Sequence, residues 1–416
     1  MQSPLTADSE GTRTASNPKA IIRKRANASF GANFAKEKRL LGLGTAPPMT
    51  ESAIATTALV TPLAAQLMAV AKPPRLVEYR CVQTPQELDA PATETAALTS
   101  GVAVHDLGWT RRVAVRGEDR FRWLSGMVSN TVQDLAPHGG AWNLVLNAQG
   151  RIQGDLMTWR DGDLLEMEIA GDQYARLLAH LEHFIIMDDV ELVPLGLEPS
   201  AETALGLTGP QASEVLERMG LPTLPEPMTA THVEWNGLDL GIRRGFGTVA
   251  EHYEIWTPIA GLTRLWRTST TAGAIPVGVV MLEAFRIAEG IPAYGVDMVE
   301  RDLPQETAQM RALHFSKGCY LGQEIVERIR SRGNVHKHLR SLELDGPLPS
   351  AGTELLLGEV QAGQITSAAE LPLAGGSRVF ALGMIRSEAE ARNEPFIYRV
   401  GSGAGTARIL TTPPKF

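Results

Sequence analysis

The hydrophobic rhythm of the chain changes along its length, and this constrains the fold more than any single motif. Apolar and polar residues alternate through VAVHDLGWTRRVAVRG (102–117), as half-buried strands require. EDRFRWLSGMVSN (118–130) then shows helical spacing at Phe121, Leu124 and Met127. GAWNLVLNAQGRIQGDLMTWRDGDLLEMEIA (140–170) reads as three strands joined by tight turns, the first at Asn147–Gly150. DQYARLLAHLEHFIIMDDVELVPL (172–195) reads as a helix followed by a strand. The mixture continues to about 300, with helices expected near 211–219 and 280–289. After 340 the style changes. Short runs broken every few residues by Gly and Pro predict a small β-barrel or sandwich over 341–416. The fold class is therefore α+β, and 416 residues are too many for one core.

Residues 1–75 read differently. They are rich in Ala, Ser, Thr, Gly and basic residues, have few acids and show no sustained apolar period over 6–49. A flexible extension is expected, similar in composition to a transit peptide or arising from an upstream start, since Met49 is a second possible first residue. Residues 53–74 are apolar enough for one short helix, which Pro73 and Pro74 would end.

The net charge of −8 argues against broad nucleic-acid binding. No run of about 18 apolar residues predicts a membrane span. Two cysteines form no disulfide framework, which fits a reducing cytoplasm, or the mitochondrial matrix in a eukaryote. Nor can they supply the four thiolates of an iron–sulfur cluster or a closed zinc site. No G-x-x-x-x-G-K-[ST], H-E-x-x-H or C-x-x-C motif occurs.

One of those cysteines, Cys319, lies in HFSKGCYLGQEIVERIRSRGNVHKHLR (314–340). Gly318 permits a loop, and Leu321, Ile325 and Ile329 share a helical face from Tyr320 onward. Cys319 is thus expected at or just before a helix N-terminus, where unpaired N–H groups favour a thiolate, with Lys317 as a nearby positive charge. Gly322 in the first turn would let something approach the backbone closely. The competing reading is a small buried hydrophobe beside a turn glycine. Cys81 has no comparable setting. His336 and His338 share a strand face, and His180 and His183 are helically spaced, but no third ligand converges on either pair; solvated side chains are the expectation.

KGCYLGQE (317–324) followed by Arg328 resembles the K-G-C-[FY]-x-G-Q-E-x-x-x-R motif of the YgfZ family, folate-binding proteins related to the T protein (aminomethyltransferase) of the glycine cleavage system. The resemblance extends over about 95–400. LNAQGRIQGDL (146–156), GLTGPQASEVL (206–216), RRGFGTVAEHYEIW (243–256), LEAFRIAEGIPAYGVDM (282–298), LPQE (303–306) and GQITSAAELP (363–372) are each similar to a family segment. Two departures stand out. Gly154-Asp155 replaces two adjacent acids, and Phe246 replaces a tyrosine.

The resemblance implies a T-protein-like ring, with two α+β subdomains in 76–340, a C-terminal barrel, and tetrahydrofolate or a one-carbon derivative in a central channel. A pterin wants an apolar slot and a carboxylate for its donor edge, and its anionic tail wants a cation. Asp155 and Glu254 are the candidate carboxylates, against structural roles as a turn cap and a strand-surface acid. Arg286 is a candidate for the tail or for an internal salt bridge. Tyr320, Gln323 and Glu324 join them as candidate cofactor contacts, and Cys319 with Lys317 as the catalytic pair. The implied role is assembly or repair of iron–sulfur proteins, with client or assembly proteins as partners. The alternatives are a true aminomethyltransferase and a non-enzymatic folate-responsive scaffold.

Overall fold

The computed structural model describes residues 59–196, 201–333 and 335–416; most of the expected extension lies outside them. The alternating segments become antiparallel strands with short turns. Gly140–Leu146, Ile152–Asp161, Leu164–Ala170, Thr110–Arg116 and Glu191–Pro194 lie side by side in a five-stranded sheet. The helices Arg120–Met127 and Gly171–Glu182 bury Trp123, Leu124, Leu177 and Leu181 against Val113, Val115, Met167 and Ile169 of this sheet.

A six-stranded sheet runs Thr229–Trp235, Leu238–Arg244, Glu251–Pro258, Glu202–Gly209, Ala103–Asp106 and Ile275–Pro276, the last parallel to its neighbour. Its core side packs against the helices Ala212–Arg218 and Leu262–Thr271. The five-stranded sheet is inserted in sequence between Ala103–Asp106 and Glu202–Gly209, which are paired. Sites that face both sheets must therefore draw on distant segments.

The Gly- and Pro-broken C-terminus closes a six-stranded barrel from Lys337–Asp345 to Gly403–Ile409. The helix Val279–Ala288 is buried on several faces because it is packed against barrel residues Phe380 and Leu382 as well as the body. No helix among the described residues is long and apolar enough to cross a membrane.

Residues 59–67, expected in the extension, pack on the body instead. Thr61 N–H donates to Gln83 O at 3.0 Å, and Gln83 N–H to Leu59 O at 2.7 Å. Thr61 caps the helix Pro62–Leu67 by accepting from Ala64 N–H, and its hydroxyl donates to the buried carboxylate of Asp106. Leu63 is fully buried, a contribution of about 2 kcal/mol. The helix stops at Leu67, short of the prolines.

Candidate functional site

A cavity of about 310 Å³ opens where the two sheets, the helix Val279–Ala288 and the loops after Arg244 and before Phe315 converge. Strand alternation decides what the six-stranded sheet presents to it. His105 and Glu254 both pair with Gly206, while His252 pairs with Thr208 two residues on, so the four polar side chains share one face. Gly206 is required there: a Cβ would lie 2.0 Å from the His105 ring. His105 Nε2 is 2.9 Å from Thr208 Oγ1, which is 2.7 Å from His252 Nδ1, and His252 Nε2 is 3.7 Å from Glu254 Oε1. Trp256 Nε1–H donates to the other Glu254 oxygen at 3.3 Å. Burial opposes ionisation of Glu254, but His252 and the buried Arg243 outweigh it and hold the carboxyl below its ordinary range.

The five-stranded sheet contributes Trp142, Asp155 and Met157. Asp155 accepts from Trp142 Nε1–H and from Gln173 Nε2–H, each at 2.9 Å, and its own N–H donates to Gln173 Oε1 at 3.0 Å. Burial raises its pKa, and these two donors only partly offset that. The departure at Gly154 has a packing cause. A Cβ there would meet Gln173 Oε1 at 2.7 Å and Leu177 at 2.8 Å, so a second acid has no room.

Arg286 lines the cavity as expected but is committed to internal pairs. Its guanidinium donates to Glu283 at 2.5 Å, to Asp297 at 2.8 Å and to Ile291 O. Asp297 also accepts from Thr366 and Ser367 of the barrel, both at 2.6 Å. Three separate sequence segments thus meet at one carboxylate, which ties the barrel to the cavity wall. Tyr79 O–H donates to Glu283 at 3.1 Å on that wall, and burial, followed by Glu283, pushes its pKa up to about 12.

Sequence reasoning missed Arg311. Its guanidinium lies 3.9 Å from the Phe246 ring centroid and 4.9 Å from that of Trp142, and it lines the cavity. It forms no ion pair among the described residues, and its Nε is buried without a partner. Burial lowers its pKa to about 10, which leaves it charged at neutrality. Arg311 sits in the 3-10 turn Met310–Ala312, too short to carry a periodic signal. Trp109, Trp142 on the strand Gly140–Leu146 and Glu289 at the end of the helix Val279–Ala288 were missed as well. Glu289 accepts from the backbone N–H groups of Thr248, Val249 and Ala250 and so shapes the loop that carries Phe246.

The KGCYLGQE segment does not line this cavity. Its helix begins at Gln323, with Gly322 as N-cap at φ +82, rather than at Tyr320. The reason is the Asn147–Gly150 turn: a Cβ on Gly322 would lie 2.6 Å from Asn147 O. Lys317 is buried and donates to Ser125 O, Val128 O and Asn130 O at 2.7, 2.6 and 2.5 Å. Burial pulls its pKa down to about 7, while the carbonyls at the end of the helix Arg120–Met127 favour the cation. It ties down a helix terminus and is not placed as a free charge for Cys319. Tyr320 is buried among Leu144, Leu146, Tyr294 and Val326. Gln323 accepts from Tyr320 N–H at 3.3 Å, and Glu324 pairs with Arg328 on the surface at 2.6 Å. None of these three reaches the cavity as expected. Cys319 itself is exposed, as is Cys81. His338 pairs with Glu390 at 2.8 Å, and His180 and His183 pack edgewise on Phe184.

Known proteins share this architecture. The family model described as the GCVT N-terminal domain matches residues 57–317. An aminomethyltransferase of Rubrobacter xylanophilus is 26% identical over 333 residues, covering 78% of this chain and 86% of its own length. The chloroplastic protein At1g60990 of Arabidopsis thaliana is 25% identical over 297 residues, covering 70% and 67%. The crystal structure of glycine cleavage system aminomethyltransferase T from Bartonella henselae superposes with a TM-score of 0.76 at 18% identity, covering 86% of this chain and 98% of that one. That likeness establishes the fold.

Proposed function

The chain belongs to the GCVT family, and from that membership we propose that it binds a reduced folate in the cavity between its sheets and acts, through Cys319, in the assembly or repair of iron–sulfur proteins. The observation that carries the folate reading is the composition of the cavity lining. Aromatic rings at Trp109, Trp142 and Phe246 surround two half-buried carboxylates and an arginine without a counter-ion among the described residues. A volume of about 310 Å³ is at the small end of ligand pockets, and a flat heterocycle is the shape it takes.

The residues fit tetrahydrofolate one group at a time. Asp155 and Glu254 would accept from the donor edge of the pterin. The rings would stack on it and exclude water. Arg311 would hold a tail carboxylate by charge-assisted hydrogen bonds. The bound folate would supply amine nitrogens able to carry a one-carbon unit. Gln173, Trp142 and Trp256 hold the carboxylates in place before any ligand arrives, which lowers the ordering cost of binding.

Titration of the purified protein with tetrahydrofolate tests this reading. Asp155→Ala is expected to weaken binding at least about tenfold, or ~1.4 kcal/mol. Unchanged affinity would remove Asp155 from the site. The iron–sulfur role rests on the KGCYLGQE resemblance and the exposed thiol. Full complementation of a deletion strain by Cys319→Ala would exclude the thiol from function. A second reading, one-carbon transfer from an aminomethylated lipoyl protein, is favoured by the names of several relatives. Detecting that transfer would replace the first reading while keeping the folate site.

A further inference from the structure

We propose, resting on the folate reading above, that Asp155 and Glu254 make the cavity select a one-carbon folate in its cationic form, a 5,10-methenyl folate, over the neutral formyl form of the same carbon. The charges on the cavity walls are unequal. Among the described residues, four carboxyl groups line it, Asp155, Glu254, Glu283 and Glu289, against two guanidiniums, Arg286 and Arg311. Arg286 is spent on Glu283 and Asp297. Glu289 accepts from three backbone N–H groups and is the carboxylate whose charge reaches Arg311. Asp155 and Glu254 are left over.

These two stand on different sheets, Asp155 on the strand Ile152–Asp161 and Glu254 on the strand Glu251–Pro258. Their hydrogen-bond donors are neutral: the Trp142 indole and the Gln173 amide for Asp155, the Trp256 indole for Glu254. No lysine or arginine among the described residues forms an ion pair with either, and the His252 ring stands 3.7 Å from Glu254. Arg80 and Arg243 act on them from further off and are bonded to other acids, Asp172 for the first and Glu166 and Glu168 for the second. Each carboxylate oxygen accepts at most one of these bonds, so lone pairs stay open to a ligand. Burial raises the pKa of Asp155 in spite of its donors, the mark of a charge its surroundings do not fully compensate.

The donor edge of a pterin is neutral, so carboxylates that accept from it keep their charge. A flat cation cancels it. In a 5,10-methenyl folate the bridging carbon joins N5 and N10 as a planar amidinium, which places one delocalised positive charge beside the heterocycle. A 5-formyl folate holds the same carbon at the same oxidation level, with one more water and one proton fewer, and its ring is neutral. The anionic tail is the same in both, so Arg311 does not tell them apart. Asp155 and Glu254 do, because a carboxylate favours a positive neighbour over a neutral one of similar shape. The faces of Trp109, Trp142 and Phe246 act in the same direction, since an aromatic ring attracts a cation stacked on it.

The test is a ratio of affinities. The full chain is mixed rapidly with 5,10-methenyltetrahydrofolate or with 5-formyltetrahydrofolate near neutral pH, before the methenyl ring reopens, and binding is followed by tryptophan fluorescence. The wild type is expected to bind the methenyl form at least about tenfold more tightly. Asp155→Asn and Glu254→Gln keep the shape and remove the charge, and each should lower that ratio at least about threefold. Arg311→Leu should weaken both ligands and leave the ratio unchanged. Equal affinities in the wild type overturn the proposal and leave the folate site standing. A preference that survives undiminished in both amide variants belongs to the shape of the bridged ring and overturns it as well. If neither ligand nor tetrahydrofolate binds, the folate reading fails and takes this proposal with it. Should one amide variant not fold, the wild-type ratio and the other variant decide.

Discussion

Arg243, at the seam between the two large sheets, and Arg311, on the cavity wall, are both guanidiniums stacked on two rings. Arg243 lies over Trp159 and Trp256, and Arg311 over Phe246 and Trp142. Their counter-charges differ. Arg243 is bonded to Glu166 and Glu168, and Arg112 joins them with bonds to Glu166 at 2.8 Å and Glu202 at 2.5 Å. Arg311 has no such partner among the described residues. Charge that is fully neutralised between two sheets fixes their register. Charge left over beside a cavity is available to a ligand.

The largest expected effect tests the seam. Arg243→Met leaves Glu166 and Glu168 buried with too little positive charge and should cost about 3–5 kcal/mol in urea unfolding. Arg311→Met, which abandons no carboxylate, should stay within about 1 kcal/mol. Equal costs would break the distinction.

Acid comes next. Burial opposes ionisation of Glu166, but Arg243 and Arg112 overcome it and bring its pKa to about 2, from an ordinary 4.5. A carboxyl lowered on folding stabilises above its unfolded value and loses that contribution as the pH falls through the folded one. The seam should therefore lose about 3 kcal/mol between pH 4.5 and 2. Asp155 carries the opposite sign. Its pKa is raised by burial, so its ionisation costs stability at neutral pH and protonation relieves the cost. Unfolding midpoints measured down this range should show a steep acid limb that Glu166→Gln flattens. A limb unchanged in that variant would mean that other carboxylates set it.

These side chains also explain what could be read in advance. Asp155 and Glu254 were named from the family resemblance, and the structure sets each on a strand that lines the cavity. The strands and helices were legible from their apolar periods, and the C-terminal barrel or sandwich from short runs broken by Gly and Pro. Arg286 was found, but its choice between ligand and salt bridge depends on Asp297 and Glu283, and no local pattern encodes that meeting. Arg311 and Trp142 matter because of what lies across the cavity, which only tertiary structure supplies. Lys317 was misread because its acceptors are carbonyls nearly two hundred positions away. Thr61 and Leu63 were placed in an extension because their partners, Asp106 and the sheet core, follow later in the chain.

A smaller effect sharpens the cavity side of the comparison. Arg311→Leu should lower tetrahydrofolate affinity by about ten- to a hundredfold, the worth of a charge-assisted hydrogen bond. Truncating the ligand to a pterin without its tail should remove most of the difference between variant and wild type. If the truncated ligand loses as much affinity as the complete one, Arg311 acts by holding Phe246 and Trp142 rather than by meeting the tail.

The smallest expected effect belongs to the cysteine loop. Lys317 fastens this loop to the helix Arg120–Met127, and Gly322 lets it abut the Asn147–Gly150 turn, so both serve the fold. Cys319 sits between them, exposed and without a hydrogen bond among the described residues. Cys319→Ser should therefore shift unfolding by no more than about 0.5 kcal/mol. It should also leave tetrahydrofolate affinity unchanged, because the loop does not line the cavity. Loss of function in a complementation assay with both quantities intact would place the thiol's task outside the folate site, on a surface open to another protein. A fall in folate affinity would instead mean that the loop moves onto the cavity when ligand binds, and the two regions would have to be treated as one site.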